Sequence, residues 1–115
     1  MLRHITLEER EQMLANGTRS RAGEDIDPYP IVKFFTPDAS ATWLLTELDP
    51  EDPDIAFGLC DLGQGFPELG SVRLSEIDSV RGRMNLPVER DRYFKADKPI
   101  SKYAEEAHKE GMIIT

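Results

Sequence analysis

The sequence predicts an α+β fold: a small antiparallel sheet of 3–5 strands with an N-terminal helix, a short middle helix and a C-terminal helix. Three observations predict it. Runs of β-branched and aromatic residues with a period of two cluster in the middle of the chain. The connections between them are short, which implies antiparallel neighbours. Helix start and stop signals flank them on both sides. With strands central and helices outside, the helices are expected on one face of the sheet. The 115 residues suit a single domain, divided into an N-terminal helix and polar loop (1–29), a sheet core with a short helix (30–95) and a C-terminal helix with its tail (96–115).

The elements follow in order. Thr6-Leu7-Glu8-Glu9 reads as a capping box, in which Thr6 and Glu9 satisfy each other's amides. A helix runs from it to about Ala15, with Asn16-Gly17 as the expected stop. Thr18 to Pro30 is polar and carries Gly23, Pro28 and Pro30, so a loop is expected. Three strands follow: Pro30–Thr36, Thr42–Asp49 and Ile55–Leu62. In the second, Trp43, Leu45 and Glu47 share a face. In the third, Ile55, Phe57 and Leu59 oppose Ala56, Gly58 and Cys60. A common core of Trp43, Phe57, Leu59 and Val72 is therefore expected.

The glycine-rich stretch Gly63–Gly70 reads as a turn and bulge region, with a short strand after it at about Ser71–Leu74. Ser75 is placed to cap a short helix over Glu76–Arg81, ended by Gly82. Met84 to Phe94 reads as extended. Ser101 is placed to cap a last helix, Lys102–Glu110, stopped by Gly111.

Composition narrows the function. The net charge is −8, with five basic and twelve acidic groups in residues 1–57. Such a chain is poorly suited to wrapping DNA, because neutralised phosphates supply most of that affinity. The lone Cys60 forms no internal disulfide and fits a reducing compartment. There is no signal peptide and no stretch of about 20 apolar residues, so a cytoplasmic protein with no membrane partner is expected.

The stretch Glu47 to Asp54, ELDPEDPD, holds five carboxylates and two prolines. It fails as a calcium loop: counted from Asp49, the sixth residue is Asp54 rather than glycine and the twelfth is Cys60 rather than glutamate. A solvated turn is the simpler reading. No cofactor and no metal ligand set is assigned. Gly63–Gly70 is no phosphate loop, since Glu68 stands where the dinucleotide pattern needs a glycine. Cys60, inside an apolar strand, reads as a small buried hydrophobe rather than a nucleophile. No residue is assigned a catalytic role.

Arg81, Arg83, Arg90, Arg92 and Lys95 surround Tyr93 and Phe94. Cations mixed with aromatics can hold single-stranded nucleic acid. The simpler reading makes the aromatics core residues and has the arginines answer the acidic hairpin or cap the short helix. In an extended segment Arg90 and Arg92 share a face, as Glu47 and Asp49 do, and the two pairs are expected to meet.

Five pieces of the chain resemble a known family: VKFFTP, TW…TE.D, FGL.DLG.G.PELG, L.E..SVRG and LP.ERD.YF, between Ile31 and Phe94, with PISKY continuing the pattern. They are similar to the bacterial proteins grouped as domain of unknown function 2958. The resemblance implies a nucleic-acid-related accessory role, since members tend to be encoded on mobile elements beside conjugation or anti-restriction genes. It assigns no activity and no catalytic residue.

Three functions stand open at this point. The first is a non-enzymatic module that binds a protein partner through its polar loops, with Glu47, Asp49, Asp52, Gly65, Glu68, Arg90 and Arg92 as binding residues. The second is an acidic mimic of DNA. The third is a small metal-dependent enzyme using Glu47, Asp49 or Asp61 with Arg90 or Arg92.

Overall fold

The computed structural model describes residues 1–115. After a 3-10 turn at Leu2–His4, the elements are α1 (Leu7–Arg21), β1 (Val32–Phe35), β2 (Thr42–Leu48), β3 (Ile55–Asp61), β4 (Glu68–Arg73), α2 (Leu74–Ser79), β5 (Glu89–Arg90) and α3 (Ile100–Glu110). The strands form one sheet in the order β4-β3-β2-β1-β5, and every pairing is antiparallel. The α+β class and the three helices agree with the sequence reading.

The helices do not share one face. Trp43, Leu45, Leu48, Val32, Phe34 and Ala56 pack with Met13 of α1 and with Leu74 and Ile77 of α2. Leu44 and Leu59 pack on the other face against Ile100, Tyr103, Ala104 and Ala107 of α3. The sheet is the middle of three layers. Consecutive residues Leu44 and Leu45 thus enter different cores, as strand alternation requires.

This arrangement corrects the expected core. The register pairs Trp43 with Cys60 and Leu44 with Leu59. Trp43 and Val72 do pack in the α1–α2 layer, but Leu59 lies in the α3 layer and Phe57 in neither. The sequence shows a period of two without saying which phase faces which helix. A bulge between Leu45 and Glu47 then shifts the phase within β2. Glu47 consequently leaves the face of Trp43 and pairs with Phe57, while Leu48 returns to the core opposite Ala56.

Helix α1 has the expected capping box, with Thr6 Oγ1 accepting from the Glu9 amide at 3.1 Å and Glu9 Oε1 accepting from the Thr6 amide at 2.9 Å. It does not stop at Asn16-Gly17, and four residues of the expected loop, Thr18 to Arg21, belong to it. Asn16 and Gly17 are buried against β2. The Asn16 amide donates to the Thr46 carbonyl at 2.9 Å, and a Cβ on residue 17 would stand 1.9 Å from the Leu48 carbonyl oxygen. Glycine serves here for close packing and not for termination.

The remaining helices begin earlier than expected, and neither is capped by its own serine. Asp54 accepts from the Ser75 amide at 3.0 Å and from its hydroxyl at 2.7 Å. Asp27 accepts from the Ser101 amide at 2.9 Å and from its hydroxyl at 2.5 Å. Each serine sits inside the first turn and a distant aspartate supplies the cap. Helix α2 ends at Ser79, and Arg81 beyond it donates to the Asp78 and Val80 carbonyls, both at 2.8 Å.

Gly63 (φ 79°) and Gly65 (φ 86°) make the expected turn, but Gly70 lies inside β4, paired with Gly58. The expected extended run from Met84 is short. Only Glu89 and Arg90 pair with β1, and Asp91 then accepts from the Tyr93 amide at 2.9 Å to form a turn. Tyr93 is 96% exposed rather than a core residue, whereas Phe94 packs against the α3 layer.

Candidate functional site

The α3 helix covers only part of its face of the sheet. The cross-strand rows Leu44–Leu59–Leu69 and Glu47–Phe57–Ser71 lie on that face by register. The first row lies toward α3. The second lines a cleft of about 410 Å³ with Ile55, the C-terminal end of α1 and the segment after it. Its floor is apolar, from Ile26, Ile55 and Phe57. Its rim is acidic, from Glu24, Asp25, Glu47 and Asp49, with Arg21 as the one cation.

Glu47 and Asp49 reach the rim for local reasons. The β2 bulge turns Glu47 into the cleft. Asp49 follows the end of β2, where its Oδ1 accepts from the Glu51 amide at 2.8 Å and pairs with Arg21 at 3.3 Å. Arg21 reaches Glu51 Oε1 at 3.0 Å as well. Glu47 forms no ion pair. Burial pushes its carboxyl above the usual range, with the Ser20 hydroxyl beside it pulling the other way.

The other residues named from the sequence do not join this site. Asp52 pairs with Arg73 at 3.1 Å and accepts from the Asp54 amide at 3.3 Å. Asp54 is held below the usual carboxylate range, chiefly by the Ser75 hydroxyl. The acidic stretch is thus a set of turn and cap acceptors with nearby arginines. No three His, Cys, Asp or Glu side chains converge as a metal ligand set. Gly65 lies in the turn before β4. Glu68 is exposed at the start of β4, opposite Cys60. Arg92 is exposed in the turn after β5.

The expected meeting of Arg90 with Glu47 or Asp49 does not occur. Arg90 binds Glu9 of α1 by a two-pronged pair, Nη1 to Oε1 at 2.6 Å and Nη2 to Oε2 at 2.5 Å, and Nη1 also donates to the His4 carbonyl at 2.8 Å. β5 sits beside β1, two strands from the β2 that carries Glu47, and Arg90 pairs there with Phe34, whose side chain lies on the α1 face. The pair lowers the Glu9 carboxyl to about 2, mainly through the Arg90 hydrogen bonds. Asp61, named for the metal-enzyme reading, is 3% exposed and fully used: it accepts from the Gly63 amide at 2.8 Å and the Ile113 amide at 3.0 Å. Cys60 is pushed up to about 11 by burial, which leaves no thiolate near neutral pH.

Sequence reasoning missed Ser20, Arg21, Glu24, Asp25 and Ile26 as cleft residues. They lie more than twenty residues before Glu47 in the chain, and only the extension of α1 past Gly17 brings them to it. No local pattern marks that extension.

The fold and the cleft define a small three-layer α+β protein with an acidic, ligand-sized hollow on one sheet face. A family model described as "Protein of unknown function (DUF2958)" matches residues 4–114, and the chain belongs to that family. Neither a curated protein nor a solved structure matches it. No helix is long and apolar enough to cross a membrane.

Proposed function

We propose that this chain is a non-enzymatic protein-interaction module, an accessory of bacterial mobile elements as the family resemblance implies, whose cleft receives a basic side chain of its partner. The observation that carries the reading is Glu47: a half-buried carboxylate at the wall of an open cleft, desolvated and without a cation of its own. A lysine or arginine from a partner would supply that cation, while its methylenes would lie on Ile26, Ile55 and Phe57. The DNA-mimic reading needs carboxylates in an extended row. Here Asp49, Asp52 and Asp54 are occupied with turns, a helix cap and arginines.

The test is an NMR titration with short lysine- or arginine-bearing peptides. Shifts centred on Ser20, Glu47 and Phe57, weakened by Glu47→Gln and by salt, are expected. Equal shifts with glutamate-bearing peptides, or none in the cleft, would overturn the reading.

A further inference from the structure

The strand β4 is one of the two edges of the sheet, opposite the short β5. Antiparallel pairing with β3 uses one side of its backbone along all six residues. None of the backbone bonds outside helices and strands involves a β4 residue, and no side chain bonds to its backbone. The outward amides and carbonyls of β4 therefore form no bonds within the chain except at its end, where the Arg73 carbonyl, at the N-cap of α2, starts that helix's ladder. Proteins usually protect such an edge with prolines, lysines, bulges or a covering loop. Here the edge has Gly70 at its centre with open space where a side chain would stand, and Glu68, Leu69, Ser71 and Arg73 are exposed.

Two hollows flank this one edge, and Ser71 borders both. The first is the acidic cleft of Glu47 and Phe57. The second, of about 440 Å³, is mostly apolar, lined by Trp43, Leu62, Val72 and Val80 among others. An added strand points alternate side chains to opposite faces. One set would reach the acidic cleft and the other the apolar hollow.

We propose that β4 accepts a strand from another protein, an extended segment of alternating basic and apolar residues, as the sixth strand of the sheet. Main-chain bonds along the edge would supply affinity and the two hollows would read alternate side chains. The chain's net charge of −8 favours a basic occupant over a second copy of itself, which would bring the same negative charge to the edge. The inference rests on the cleft reading above and adds the partner's conformation and its pattern.

The probe is a blocked seven-residue peptide of alternating lysine and valine, long enough to span a six-residue strand. Binding to the full chain is followed by calorimetry and by amide hydrogen exchange. New protection along Glu68–Arg73 is expected, with affinity about tenfold weaker for a peptide of the same composition with its lysines and valines in two blocks. Ser71→Lys, at an exposed position, is expected to weaken binding and Ser71→Glu to strengthen it. Equal affinity for the blocked-order peptide, or binding without new β4 protection, would overturn the proposal. Glu47-dependent binding with no β4 protection would leave the cleft reading standing and remove the strand. β4 protection that Glu47→Gln leaves unchanged would keep the strand and remove the cleft. A dimer in sedimentation that Ser71→Lys dissociates would make the occupant a second copy and overturn the choice made here.

Discussion

Arg90 and Glu9 lie 81 residues apart and form a parallel, two-pronged ion pair between the edge strand β5 and the first turn of α1. Glu9 has two tasks at once, since it also completes the capping box with Thr6. The pair is poorly exposed, with 10% of the Arg90 side chain and 24% of the Glu9 side chain reaching solvent. A pair of this kind holds β5, which is only two residues long, in place.

Glu9→Gln is expected to cost about 2 kcal/mol or more, because it leaves a desolvated guanidinium without its anion. The pH dependence follows from the depressed Glu9 carboxyl, at about 2 against an ordinary 4.5. The group contributes its full stability above its unfolded value and loses it as pH falls from there through about 2. Urea melts from pH 6 to pH 2 should therefore converge for wild type and Glu9→Gln at the acid end. Parallel curves would show that the pair contributes nothing.

Gly17→Ala tests packing against propensity. Alanine is favoured over glycine in a helix interior by ~1 kcal/mol. Yet its Cβ would meet the Leu48 carbonyl oxygen at 1.9 Å, and backbone atoms cannot move aside cheaply. A net loss of about 2 kcal/mol or more is expected in chemical denaturation. A stabilised variant would place α1 farther from β2.

Phe57 and Leu59 should respond differently to truncation. Leu59 is fully buried under α3, so Leu59→Ala should cost about 2–5 kcal/mol. Phe57 lines the cleft, and Phe57→Ala should cost under about 2 kcal/mol. Equal losses in urea melts would mean that the cleft is closed in solution.

Glu47→Gln is expected to raise the melting temperature near neutral pH. The folded protein holds this carboxyl above its ordinary value because ionising it there is costly. Relief of that cost is full above the folded value and vanishes as pH falls through the ordinary 4.5. The same variant should bind basic peptides less well, a binding group held at the expense of stability. A variant less stable than wild type at pH 7 would show that Glu47 supports the fold instead.

Asp27 caps α3 from a loop more than seventy residues earlier. Asp27→Ala should cost about 1 kcal/mol and Asp27→Asn less, since asparagine caps nearly as well. Thermal melts of the two variants check it, and identical values for Ala and Asn would remove the capping role.

Several features could be read from the chain because their causes are local. The Thr6–Glu9 capping box, the turn at Gly63 and Gly65, the C-terminal stop at Gly111 and the three central strands depend on residues within one turn or one strand of each other. The acidic stretch was legible in the same way, as turn-forming aspartates between two strands. Other features depend on distant neighbours. Gly17 carries the same local signal whether it ends a helix or lets one approach a strand, and only Leu48 decides between them. Ser75 and Ser101 look like caps, but Asp54 and Asp27 take that role from elsewhere in the chain. Arg90 finds Glu9 rather than Glu47 because strand order, not spacing, sets which charges meet. The cleft belongs to this second group. Its Glu47 could be named from sequence, but its walls come from α1 and β3, and its opening exists because α3 leaves part of the sheet uncovered. Local spacing determines what a segment forms; which segments then lie side by side is settled by how two layers of helices share one sheet.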